Sequence, residues 1–236
     1  MSKTIVITGA SSGIGYTTAE MLAEAGYTVA MLSRNLEKPS ELERRFERAM
    51  AFACDVTDDV QVQLTIQRIV ERTGGIDVLI NNAGLGIFDP LAEAKLSDWH
   101  HMIDVNVKGL LSCIHAGLPF LRQRKGHIIN LGSVASHHVF ANSGVYCASK
   151  HAVLAISEAL RIELSSEIRV TTVSPGSVNT AFIHQTRNEK LLESYVPNFE
   201  AGLSPQIIAT HIKQIIETPA EAVVSEVIIR PNKATL

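Results

Sequence analysis

Short apolar runs alternate along this chain with longer segments whose apolar residues recur every three or four positions. The runs are Thr4–Thr8 (TIVIT), Thr28–Leu32, Ala49–Ala53, Val78–Asn81, His127–Leu131, Val170–Val173 and Val227–Ile229. Most are apolar at consecutive positions, as in strands covered on both faces. Between them lie helix-length segments: Gly13–Ala25, Leu36–Glu47, Asp58–Arg72, Ser97–Gln123, Val145–Ser165 and Pro205–Glu217. This alternation predicts an α/β fold, a doubly wound parallel sheet of about seven strands with helices on both faces.

Boundary residues agree. Asp58 and Ser97-Asp98 suit helix starts, where acids meet the positive end of the dipole. Gly26 and Gly74-Gly75 suit helix ends. No linker, repeat or low-complexity tract interrupts the pattern, so residues 1–236 read as one domain. The exception to the alternation is 179–204, which holds a helical patch at Arg187–Tyr195 and no strand partner. A segment that long reads as a lid within the domain.

Composition narrows the function. A hydrophobic share of 46% excludes wholesale disorder. A formal charge of −3 leaves no basic surplus for a phosphate backbone, so no nucleic-acid partner is expected. No apolar stretch is long enough to span a membrane, and the N-terminal MSKTIVITGA reads as a strand rather than a leader. The three cysteines form no CxxC and no paired spacing, a pattern suited to a reducing cytoplasm. The adjacent pairs His100-His101 and His137-His138 are poorly spaced for ligation, and no metal site is expected.

The turn after the first run reads Thr8-Gly9-Ala10-Ser11-Ser12-Gly13-Ile14-Gly15. Glycines there let a pyrophosphate approach the backbone, and the helix that follows offers free N–H groups and a positive dipole end. A tight strand–helix turn with no ligand would carry the same glycines. At the end of the second run stand Ser33, Arg34 and Asn35. An acid at this place binds a ribose 2′-hydroxyl; the missing acid and the added Arg34 suit a 2′-phosphate, and so NADP(H) rather than NAD(H).

Tyr146 and Lys150 lie one helical turn apart, where an ammonium shares a face with a phenol and favours its ionised form. Ser133 follows the fifth run, and Asn82-Ala83-Gly84 follows the fourth, both at the edge where open α/β sheets bind ligands. Asn106 sits in the middle of a predicted helix between valines and reads as a buried polar group with a specific partner.

Together these residues resemble the short-chain dehydrogenase/reductase family in its compact single-domain, Rossmann-type form, from the first strand to about Thr180. The resemblance implies that Gly9, Ser11, Ser12, Gly13, Ile14 and Gly15 hold the cofactor pyrophosphate and adenosine side. It implies that Asp55 and Val56 meet the adenine, that Asn82, Ala83 and Gly84 line the central region, and that Pro175, Gly176, Val178 and Thr180 hold the nicotinamide end. The catalytic tetrad implied is Asn106, Ser133, Tyr146 and Lys150. Tyr146 then serves as general acid/base toward a carbonyl or secondary alcohol, and Lys150 binds the ribose and lowers the phenol pKa. Asn106 would hold a relay water. The helices carrying Leu110-Leu111 and Val153-Leu154 pack in this family against a second subunit, which implies a homodimer or homotetramer.

The C-terminus lacks the glycine-rich ending of the ketoacyl-carrier-protein reductase branch, so the chain looks more like reductases of hydroxy acids, small ketones or aldehydes. Phe182, Ile183, Leu191, Leu192, Tyr195, Val196 and Phe199 make the expected pocket mainly apolar. His137 or His138 borders the substrate or lies at the surface; the sequence allows both. Cys147 reads as a packing residue. Two other classes remain open: a non-catalytic NADP(H)-sensing regulator on the same fold, and a related lyase or epimerase that keeps its cofactor. Net NADPH consumption with carbonyl compounds separates both from a reductase.

Overall fold

The computed structural model describes residues 2–232. Its strands are β1 (Thr4–Thr8), β2 (Thr28–Ser33), β3 (Ala49–Ala53), β4 (Val78–Asn81), β5 (His127–Leu131), β6 (Arg169–Pro175) and β7 (Glu226–Ile229). They form one sheet in the order β3-β2-β1-β4-β5-β6-β7, and every neighbouring pair is parallel. The order reverses between β1 and β4, so their connections leave on opposite sides and open a crevice at the carboxyl tips.

Alternate residues of each strand feed opposite faces. Val6, Leu79 and Ile128 pack on one side with α3 (Asp59–Thr73), α4 (Leu96–Ile103), α5 (Leu110–Arg124) and α6 (Gly144–Glu163). Ile5, Ile7, Ile80 and Ile129 pack on the other with α1 (Gly13–Glu24), α2 (Glu37–Arg45) and α8 (Pro205–Glu217). Burial of both faces explains why the strands read as unbroken apolar runs.

The expected helix ends are partly met. Asp58 caps α3 by accepting from Gln61 N, and Gly74 closes it with φ +77°. Asp98, by contrast, caps nothing. α4 starts at Leu96 after Lys95, and the Asp98 carboxylate is buried against Arg187, with Oδ1 3.4 Å from Nη2.

The predicted helix Ser97–Gln123 is broken into α4, a π-helical turn at Asp104–Gly109, and α5. Such turns insert an extra residue and mark functional positions; this one carries Asn106. Within 179–204 the chain forms a 3₁₀ turn, Ala181–Gln185, then α7 (Glu189–Glu200), longer than the predicted patch and continuing past Pro197. Among the described residues no helix is long and apolar enough to cross a membrane.

Candidate active site

The strand tips surround a cavity of about 840 Å³. Its wall includes Gly9, Ser11, Ser12, Gly13 and Ile14 from the first turn, Ser33, Arg34 and Asn35 after β2, and Asp55 and Val56 after β3. It continues with Asn82, Ala83 and Gly84 after β4, with Ser133, Tyr146 and Lys150, and with Pro175, Gly176, Val178 and Thr180 after β6. Of the residues assigned from the sequence to the cofactor and to the tetrad, Gly15 and Asn106 do not line it.

Gly15 acts behind the wall. A Cβ there would lie 2.3 Å from Asn82 Nδ2 and 2.4 Å from the Gly9 oxygen. The Asn82 amide fills that space, donating to the oxygens of Thr8 (2.9 Å) and Gly9 (3.0 Å). The Thr8 hydroxyl accepts from the N–H groups of Asn82 and Ala83. The tips of β1 and β4 are thereby locked side by side at the crevice. Gly9, at φ +67°, could carry no Cβ without meeting Ala83 Cα at 2.8 Å. Ser12 precedes α1 but makes no side-chain cap, which leaves the first-turn N–H groups available to a ligand. Thr180 rests on Gly13, where an added Cβ would come within 3.2 Å of its methyl group.

The end beyond β2 carries opposed charges. Arg34 is 67% exposed and its Nη1 lies 4.0 Å from Asp55 Oδ2. Burial works to raise the Asp55 pKa, but hydrogen bonds from Thr57, with Arg34 and His101 nearby, outweigh it and hold the carboxyl below its ordinary value. The Ser33 hydroxyl donates to the Asn35 oxygen at 2.7 Å, so its proton is engaged within its own loop.

Asn106 is 2% exposed. Its Oδ1 accepts from Leu85 N and its Nδ2 donates to the Leu85 oxygen, both at 2.8 Å, with a further bond to Ser149 Oγ at 3.0 Å. It clamps the backbone after Gly84. Lys150, 6% exposed, donates from Nζ to the Leu131 oxygen at 2.7 Å. Desolvation lowers its pKa to about 8. Desolvation also raises the Tyr146 phenol to about 12, opposed by the Ser133 hydroxyl. The acidity of this phenol is thus set by burial and Ser133, and the lowering expected from Lys150 is not seen in this arrangement, where the ammonium is bonded to Leu131.

Several wall residues escaped the sequence reading: Leu85, Phe88, Phe140, Asn198, Arg230 and Pro231. Phe88 was findable only as one more apolar loop residue, yet it centres an aromatic cluster. Its ring meets Tyr146 edge-on at 5.5 Å, Tyr195 at 5.6 Å and Phe182 at 6.2 Å. Phe182, Tyr195 and Phe199 do reach the cavity, and Gln185 joins them, whereas Leu191, Leu192 and Val196 do not line it and Ile183 is buried outside it. His137 and His138 do not line it: His137 Nε2 lies 2.7 Å from Glu226 Oε1, and His138 faces Arg230. Cys147 is fully buried. Leu110 and Val153 belong to the chain's own core, while Leu111 is exposed and Leu154 half-buried.

The chain is similar to known proteins in sequence and in fold. An uncharacterized oxidoreductase of Staphylococcus saprophyticus is 41% identical over 99% of this chain and 98% of its own length. An alcohol dehydrogenase of the archaeon Thermococcus sibiricus, solved with 5-hydroxy-NADP, superposes with a TM-score of 0.89 at 28% identity, covering 100% of this chain and 99% of that one. A short chain dehydrogenase/reductase of Burkholderia phymatum, solved with NAD, gives 0.88 at 25%, covering 96% and 88%. The sequence profile described as short chain dehydrogenase matches residues 3–191, and the chain belongs to that family of oxidoreductases.

Proposed function

We propose that this chain is an NADP(H)-dependent oxidoreductase that interconverts a carbonyl compound and the corresponding secondary or primary alcohol. The observation that carries the reading is the convergence of Ser133, Tyr146 and Lys150 on one cavity whose other end is the glycine turn of α1 and Arg34. The bare first turn, the Gly9 and Gly13 backbone on the cavity wall, and the adjacent cation fit a dinucleotide phosphate.

Gly9, Ser11, Ser12, Gly13 and Ile14 would hold the pyrophosphate, and Asp55 and Val56 the adenine. Arg34 would fork onto the 2′-phosphate, with Ser33 and Asn35 shaping the loop. Asn82, Ala83 and Gly84 would line the middle, and Pro175, Gly176, Val178 and Thr180 the nicotinamide end. The bound nicotinamide supplies or accepts the hydride at the carbonyl carbon. Tyr146, neutral because burial holds its pKa at about 12, donates its proton to the substrate oxygen. Ser133 hydrogen-bonds the same oxygen as negative charge develops there. Lys150 would hold the ribose with its ammonium and support the forming phenolate. Asn106 fixes the Gly84–Leu85 wall and so the side of the cavity that Lys150 faces.

The whole chain would act as one dinucleotide-binding and catalytic domain, with 179–204 as its lid. Free buried thiols at Cys54, Cys113 and Cys147 suit the cytoplasm, and exposed Leu111 suits a homodimer or homotetramer.

The test is NADPH and NADH oxidation, followed by absorbance, over a panel of aldehydes and ketones. Tyr146→Phe should abolish turnover while NADPH still binds; a variant that retained turnover would remove Tyr146 from the reaction.

A further inference from the structure

Arg230 follows β7 and lines the cavity. In the sheet order β7 stands five strands from β2, so Arg230 and Arg34 are separated by about 24 Å at ordinary strand spacing. Arg230 is therefore not a second group for the adenosine phosphate. It stands two strands from β5, whose tip carries Ser133, about 10 Å away by the same spacing. Gly176 brings its backbone close: a Cβ there would lie 3.5 Å from Arg230 Cα and 3.1 Å from Pro231 Cδ.

Among the described residues no carboxylate pairs with Arg230. Its Nη2 lies 3.2 Å from His138 Nε2. A guanidinium has only donors, so in this contact the imidazole nitrogen is the acceptor. The contact orients the fork without cancelling its charge. The other charged groups on the wall are accounted for: Arg34 and Asp55 face each other, and Lys150 is bonded to Leu131. Around the substrate end the wall is aromatic, from Phe88, Phe140, Phe182, Tyr195 and Phe199. A full positive charge at the edge of an apolar pocket favours an anion there and disfavours a neutral analogue of the same shape.

We propose that Arg230 is a specificity-determining residue that binds a carboxylate of the substrate, so that the compounds reduced are short oxo acids or aldehyde acids. The inference rests on the carbonyl-reductase reading and names its substrate class. The substrate oxygen sits between Ser133 and Tyr146, and the acid end reaches toward the tip of β7. One planar fork, with the other cation at that end, Lys150, bonded to the Leu131 oxygen, matches a monoanionic carboxylate better than a phosphate dianion.

The test separates binding from turnover. The full chain, saturated with NADPH, is titrated calorimetrically with 4-hydroxybutanoate and with 4-hydroxybutanamide; neither can react with the reduced cofactor. The acid should bind at least tenfold more tightly than the amide. Arg230→Gln should erase that difference while leaving NADPH affinity unchanged, and Arg230→Lys should restore part of it. Equal binding of acid and amide, or a difference that survives Arg230→Gln, overturns the proposal. Turnover of 4-oxobutanoate and its methyl ester is then compared: the acid should show the lower KM, and Arg230→Gln should raise that KM with the ester unaffected. An ester reduced as well as the acid overturns the carboxylate site and keeps carbonyl reduction. No NADPH oxidation with any carbonyl, alongside an intact acid preference in binding, overturns the reductase reading and keeps the site.

Discussion

Lys150 Nζ donates to the main-chain oxygen of Leu131 at 2.7 Å, tying the catalytic helix to the tip of β5. The bond keeps a buried ammonium satisfied, yet desolvation still lowers its pKa to about 8. Below that value the group is charged; above it the proton is lost. The Tyr146 phenol, at about 12, stays protonated throughout the accessible range. Reductive turnover should therefore hold level below about pH 8 and fall above it, approaching roughly tenfold per pH unit, because the forming phenolate loses its neighbouring cation. Lys150→Met should remove both the breakpoint and most of the turnover. A reductive profile that stays level through pH 10 would show that Lys150 does not titrate as assigned.

Asn106 makes three hydrogen bonds from a buried position, two to the backbone of Leu85 and one to Ser149. Asn106→Ala strands those partners out of water at a cost of about 2–4 kcal/mol. Thermal unfolding should drop by roughly 5–10 °C for a chain of this size. Asn106→Asp keeps an acceptor for Leu85 N but loses both donors, and should recover little. If Asn106→Ala melts with the parent chain, the clamp contributes nothing to the fold.

The sheet was legible because both faces are covered: consecutive apolar residues at Ile5, Val6 and Ile7 fit a strand buried on two sides and little else. The glycine turn was legible because Gly9 and Gly15 stand where any side chain collides with backbone or with Asn82. The π turn was not, since no local propensity records it, and the Asn106 it carries is held by a partner far from it in sequence, Leu85. Asp98 does stand in the first turn of α4, as its place before Trp99 suggested, but its partner Arg187 lies far along the chain and was not legible. Arg230 and Phe88 enter the cavity through topology alone, which brings the end of β7 and the loop after β4 beside Ser133 and Tyr146.

Gly9 tests the cradle directly. Its φ of +67° strains any side chain, and the nearest obstacle to a Cβ is the Ala83 backbone, which cannot swing aside. Gly9→Ala should lower stability by about 1–3 kcal/mol. It should also weaken NADPH binding more than tenfold, read by fluorescence of the bound cofactor. Unchanged affinity would mean that this turn does not hold the phosphates.

Arg34 tests the proposed preference between cofactors. It is exposed and meets Asp55 only at 4.0 Å, a pair worth little in water. Arg34→Ala should therefore leave the melting temperature within about 2 °C. Loss of a fork on a phosphate should raise the KM for NADPH roughly tenfold to a hundredfold and leave that for NADH nearly unchanged. Equal effects on both cofactors would assign Arg34 to some other part of the dinucleotide.

The segment 179–204 is fastened to the body at its entry and at α7. Thr186 Oγ1 accepts from Phe88 N at 3.2 Å, and Asn188 Nδ2 donates to Asp89 Oδ1 at 2.9 Å. Arg187 reaches the buried Asp98 at 3.4 Å, and the Tyr195 hydroxyl donates to the Ala141 oxygen at 3.2 Å. These ties are polar and mostly near the surface, so the segment should open at far lower cost than the sheet. Removing one should shift opening without unfolding the chain. Arg187→Ala should speed proteolytic cleavage within 179–204 several-fold, raise the substrate KM about two- to fivefold and, by leaving the buried Asp98 carboxylate unpaired, lower the melting temperature by a few degrees. Saturating NADPH should slow that cleavage in both proteins, because Val178 and Thr180 line the cavity and Thr180 rests on Gly13. Cleavage indifferent to both the substitution and the cofactor would show that the segment does not act as a lid.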